Sequence, residues 1–150
     1  MDTEFAKYLQ RMRAHRSELR DSVAAVDDAL AAPISRREQW LERVHAALAE
    51  LAHDFDVHIE LTEGEGGLYE DVRRSSPRLS GRVRRLTDEH VRYAAHINSL
   101  LARLDGNGPI DDVLALREEV TALMGQLVRH RQSGSDLVFE AYEVDLGGSG

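Results

Sequence analysis

The chain is expected to fold as an all-α, up-down-up-down antiparallel four-helix bundle. Three observations predict it. Apolar residues recur at steps of three and four along four long segments, which buries one face of each helix against the others. The segments are joined by short connections rich in Gly, Pro and Ser. Alternating strand patterns of useful length are absent. At 150 residues the whole chain fits one domain with a real core, the size of an ordinary bundle.

The first helix is predicted over residues 4–31, capped by Asp2 or Thr3. Its stripe is Phe5, Leu9, Met12, Leu19, Val23, Val26 and Leu30, and the step missing between Met12 and Leu19 lands on His15. Pro33 stops it, since proline lacks the N–H that a helix interior needs. Ser35-Arg36-Arg37-Glu38 has capping-box spacing and opens a second helix over 35–63. Its stripe runs Leu41, Val44, Leu48, Leu51, Phe55, His58 and Thr62, and Gly64, Gly66 and Gly67 then make continued helix costly. Residues 68–72 read as one further turn, and residues 73–77 as a connection.

Pro77 or Ser80 marks the start of a third helix over 79–104, striped by Leu79, Val83, Leu86, His90, Tyr93, Ile97, Leu100 and Leu104. Asp105-Gly106-Asn107-Gly108-Pro109 is the clearest turn signal in the chain. The fourth helix, 111–141, opens near Asp111, whose carboxylate suits a helix N-terminus. Its stripe is Val113, Leu116, Val120, Leu123, Leu127, His130, Gly134, Leu137 and Ala141. Residues 143–150, ending Gly-Gly-Ser-Gly, read as a mobile tail.

Composition narrows the function. A net charge of −8, from 19 basic and 27 acidic side chains, disfavours nucleic acid as partner, because phosphates need a positive surface. The absence of cysteine excludes disulfides, thiolate metal sites and cysteine nucleophiles. No apolar run is long enough to span a membrane, and Met1-Asp2-Thr3-Glu4 does not begin a signal segment, so a cytoplasmic protein is expected. The arginines at 73, 74, 78, 82, 84, 85 and 92 read as a solvated face, with docking to an acidic partner or a second subunit as the functional alternative. Gly64-Glu65-Gly66-Gly67 follows no strand and lacks the Gly-Lys of a phosphate loop.

The informative residues are histidines. Of seven, His45, His53 and His96 lie off the stripes and read as surface residues. His15, His58, His90 and His130 fall one per helix at positions otherwise filled by aliphatic or aromatic side chains. Burying several imidazoles without partners is costly, and a shared cation would satisfy their ring nitrogens. Imidazole suits iron, zinc, copper or nickel. The paired Glu-x-x-His motifs of ferritin-like di-iron bundles are missing: only Glu42-Arg43-Val44-His45 has the spacing.

This placement of histidines, with Glu63 shortly after His58, the Glu89-His90 pair, and the ending from Gly134-Ser135-Asp136-Leu137 to Asp145-Leu146-Gly147-Gly148, resembles the hemerythrin-like (HHE cation-binding) family over nearly the whole chain. The resemblance implies a non-haem iron site, often of two bridged ions, and a role in handling oxygen or peroxide or in sensing or storing iron. The family adds a Glu four residues after the second histidine, a His four after the third and an Asp five after the last. Thr62, Ala94 and Ser135 stand there in this chain, with Glu63 and Asp136 one residue later. One cation held by His15, His58, His90 and His130 with Glu63 matches these residues better than two, with iron first and zinc as the other candidate. Beside iron, Tyr93 would be near enough to bind it or a ligand. A protein partner or homodimer fits as well as a metal ligand alone, and no acid, base or nucleophile set singles out an enzyme. The competing reading is a metal-free helical interaction domain whose core histidines are vestigial.

Overall fold

The computed structural model describes residues 3–106 and 110–144, apart from the side chains of residues 4, 5, 143 and 144. The expectations for Asp2, the Phe5 side chain, residues 107–109 and the tail from 145 onward therefore lie outside the described residues, while 143 and 144, read as part of that tail, end a helical segment. Among the described residues every regular element is helical. Four long helices, α1 (Thr3–Ala31), α2 (Arg37–Glu63), α4 (Ser80–Asp105) and α5 (Val113–Val138), are joined by a short α3 (Leu68–Ser75) and a 3₁₀ turn (Pro77–Leu79). A π-helical segment, Phe139–Val144, continues α5. Helix α1 packs on α2 and α5, and α4 packs on the same two, so the four close a bundle. No helix among the described residues is long and apolar enough to cross a membrane.

Two helix starts differ from expectation. The Ser35 capping box does not form. Helix α2 begins at Arg37 behind Arg36, with no side-chain cap. Trp40 decides the start instead: it is fully buried, and its indole N–H donates to the Leu30 carbonyl at 3.3 Å, pinning the first turn of α2 to the last turn of α1. Helix α5 is capped by Asp112 rather than Asp111, its carboxylate accepting from the Ala115 amide at 2.9 Å. Replacing Asp112 with Ala is expected to cost about 1 kcal/mol in denaturant unfolding, whereas the Asp111→Ala change should be near neutral. The turn read at 68–72 is a two-turn helix, because Leu68, Tyr69 and Val72 are all buried beneath it.

The core divides into two clusters. The larger gathers Leu19 and Val23 of α1, Trp40 to Phe55 of α2, Tyr93 to Leu100 of α4 and Val113 to Leu127 of α5. Each fully buried aliphatic side chain there contributes roughly 1.5–3 kcal/mol. The smaller contains Tyr8 and Met12 of α1, Leu68, Tyr69 and Val72 of α3, Val83 and Leu86 of α4, and Leu137 and Ala141 at the far end of the chain. On α1, α4 and α5 the passage from one cluster to the other falls at a histidine, His15, His90 and His130, and His58 of α2 lies beside them. These four occupy a buried polar layer between two apolar ones.

Candidate metal centre

The four histidines are buried, at 4%, 9%, 1% and 3% exposure for His15, His58, His90 and His130. Ring centres of His58, His90 and His130 are 5.0 Å (58–90), 5.5 Å (58–130) and 4.8 Å (90–130) apart. One nitrogen from each lies within 4.8 Å of the others. Imidazoles meeting one ion tetrahedrally through nitrogens about 2.1 Å from it have ring centres roughly 5 Å apart, so the three rings fit a shared cation. His15 is the outlying member, stacked on His58 with centres 6.1 Å apart. Phe55 closes the layer on the side of the larger cluster, 5.6–6.0 Å from the rings of His58, His90 and His130. Tyr69 stacks on His90 from the other side at 5.7 Å.

The hydrogen bonds assign the nitrogens. His90 Nδ1 bonds Glu63 at 2.5 Å, and His130 Nδ1 bonds Glu89 at 2.6 Å. Burial, with His130 beside it, pushes the His90 imidazole down to about 3, and burial lowers His130 despite the opposing Glu89. A neutral ring facing a carboxylate carries its proton on the facing nitrogen, so both rings donate through Nδ1 and keep the Nε2 lone pair. His90 Nε2 has only Tyr69 Oη, at 3.5 Å, a weak contact. Both nitrogens of His58 and the Nε2 of His15 are buried without a partner among the described residues. His15 Nδ1 lies 3.6 Å from Glu18. Burial and the neighbouring histidines hold His58 well below the ordinary imidazole range, so it too is neutral.

The anticipated ligands thus separate into two kinds. Histidines 58, 90 and 130 converge, with His15 alongside. Glu63 takes a position different from the one predicted: α2 runs as regular helix to Glu63 and stops at Gly64, leaving the carboxylate against the outer nitrogen of His90. Burial raises Glu63 and Arg73 partly counters this. Asp136 stays out of the layer, bonded to Gln132 at 2.9 Å, because the π-helical segment begins only at Phe139. Thr62 donates to the His58 carbonyl at 2.8 Å, Ala94 packs on the larger cluster, and Ser135 Oγ accepts from Arg16 at 2.6 Å, so none of the three supplies a metal-binding group. Tyr93 is a buried aromatic whose ring lies 5.9 Å from His130. Sequence reasoning missed the contacts of Glu89 and Tyr69. Glu89 immediately precedes a stripe histidine, and that adjacency is the only signal pointing to it. Tyr69 carried none, since residues 68–72 read only as one further turn with no stripe to place them.

The remaining histidines stand away from the layer. His53 is exposed, His45 pairs with Asp105 at 2.7 Å and His96 with Glu119 at 2.8 Å. Part of the arginine cluster is internally neutralised: Arg74 pairs with Glu70 at 2.6 Å, and Arg78 and Arg82 reach Glu140 at 3.2 and 3.9 Å. No family model matches the chain, and comparison with curated proteins and with solved structures gives no significant match.

Proposed function

We propose that the chain is a non-haem metal-binding protein of hemerythrin-like type, an up-down-up-down bundle that holds one ion, iron by preference, between its four long helices. One observation carries the reading: buried imidazoles meet with three ring nitrogens unpartnered among the described residues, while His90 and His130 are held by carboxylates. Leaving three buried polar atoms unsatisfied costs roughly 3–9 kcal/mol, comparable to the whole stability of a domain. An ion bound by His58 would occupy one of its two nitrogens, the other keeping the proton, and so recovers part of that cost, whereas a purely structural set would be bonded internally. The donor set fits: His58, His90 and His130 would hold the ion, with His15 adjoining, and all-nitrogen donation suits iron, zinc, copper or nickel. Glu63 and Glu89 would fix ring orientation and raise ligand basicity, the usual work of carboxylates behind metal-binding histidines. Iron bound there supplies redox chemistry toward oxygen or peroxide. Phe55 packs against the layer on the side of the larger cluster, and Tyr69 stacks on His90 from the other.

Metal analysis of protein purified without chelator tests this, and stoichiometric iron is expected. Stoichiometric zinc would retain the centre and revise its metal. No bound metal after exposure to iron(II) and zinc(II) would remove the proposal. Replacing Glu63 or Glu89 with Gln is expected to weaken metal binding by about 10- to 100-fold each, with the fold intact by circular dichroism. Unchanged affinity would show that the carboxylates do not serve the site.

A further inference from the structure

A cavity of about 440 Å³ opens between α1 and α5. Its floor holds the buried His58, Thr62, Tyr69 and His130, and its walls include Met12, Leu19 and Leu68. Arg13 and Arg16 on α1 and Arg131 on α5 line it toward solvent, together with the exposed Phe139 and Val128. Its volume is that of a small-molecule site, and its apolar walls with a few polar groups are the usual composition of one.

Two features show that the cavity is not simply imperfect packing. First, Arg13, Arg16 and Arg131 make no ion pair with a carboxylate among the described residues; Arg16 is held across the opening only by the neutral Ser135. Three such guanidiniums converge in a chain of net charge −8, which leaves an unneutralised positive rim on an acidic protein. Second, Gly134 lines the cavity inside α5, and a Cβ built there meets nothing within 4 Å. Its φ is not in the left-handed region, so the backbone does not demand glycine. Glycine in a helix interior costs about 1 kcal/mol against alanine, and here the only local gain is open space.

We propose that this cavity binds an aliphatic carboxylate, with its anionic head on Arg13, Arg16 and Arg131 and its hydrocarbon body on the apolar walls. Guanidinium and carboxylate match as planar bidentate partners, and the apolar walls demand a chain rather than a bare anion. The site stands whether or not the histidines hold a metal, because its recognition groups are the arginines and the apolar walls.

The experiment is titration calorimetry on chelator-treated protein with decanoate, decanol and acetate as probes. Decanoate is expected to bind at least about tenfold more tightly than decanol, from the charge-assisted bonds, and acetate not measurably. The double variant Arg16→Gln, Arg131→Gln should bring decanoate to the level of decanol, while Arg20→Gln, outside the cavity lining, should not. Gly134→Leu should abolish decanoate binding by filling the cavity, and metal content measured on the same variant reports separately on the histidines. Equal binding of decanoate and decanol would overturn the proposal, as would acetate binding as tightly as decanoate, or decanoate binding unaffected by Gly134→Leu in a variant that melts like the parent.

Discussion

Acidifying the metal-free protein from pH 7.5 to 5.5 is expected to remove roughly 3 kcal/mol of stability through His58 and His90, with a smaller contribution from His130. All three have folded-state pKa values below the ordinary one. Above about pH 6.5 each is neutral folded and unfolded, and titration changes nothing. Below it the unfolded chain takes up protons that the buried rings refuse. Each histidine then costs up to about 1.4 kcal/mol per pH unit, and for His90 the loss continues until pH reaches its folded value of about 3. Glu63, raised by burial, acts in the opposite sense at the acid end of this range and softens the loss there. Denaturant midpoints at pH 7.5, 6.5 and 5.5 in chelator measure the effect. A flat profile would mean that the imidazoles accept protons without unfolding the bundle, and the buried neutral layer would be wrong.

Metal is expected to produce the second large effect. An ion present at about a thousand times its dissociation constant stabilises by about 4 kcal/mol, which for a chain of this length raises the melting temperature by roughly 10 °C. Chelator at pH 7.5 should reverse the rise. Replacing His58 with Leu should abolish it, and should also raise the melting temperature in chelator, because two unpartnered buried nitrogens, at about 1–3 kcal/mol each, disappear from the core. His58 is thus expected to be a residue that costs stability without metal and contributes it with metal. Replacing the exposed His53 with Ala should change neither value. Identical melting with and without chelator, for protein exposed to iron and zinc, would leave the metal-free interaction domain as the better account.

The helices and the histidine layer were legible because burial of one face imposes a three-four spacing, and a histidine on that spacing is necessarily buried with its neighbours. Trp40 shows where legibility ended. The capping spacing at Ser35 is a local signal, and a tertiary contact with the end of α1 overrode it. Glu63 was expected beside the four histidines, and it stands against the Nδ1 of His90: one residue of offset turns a side chain about 100° around a helix. The Glu89 contact with His130 joins residues 41 apart, and the arginine rim joins α1 to α5 across more than a hundred residues. Such pairings depend on which helices are neighbours, which spacing along one chain does not record.

The polar layer between the two apolar clusters also divides the protein dynamically. At the boundary three ring nitrogens lack partners among the described residues, and the contacts there are the Glu63–His90 and Glu89–His130 bonds and the rings of Phe55 and Tyr69 against the histidines. In the metal-free protein, backbone amides of α3, of α1 around Tyr8 to Met12 and of α5 around Leu137 should therefore exchange with deuterium through a partial opening. Amides around Leu48 and Leu123 should exchange only on global unfolding. An ion held by His58, His90 and His130 would tie α2, α4 and α5 together at that boundary, and the exchange rates of the two units would then converge.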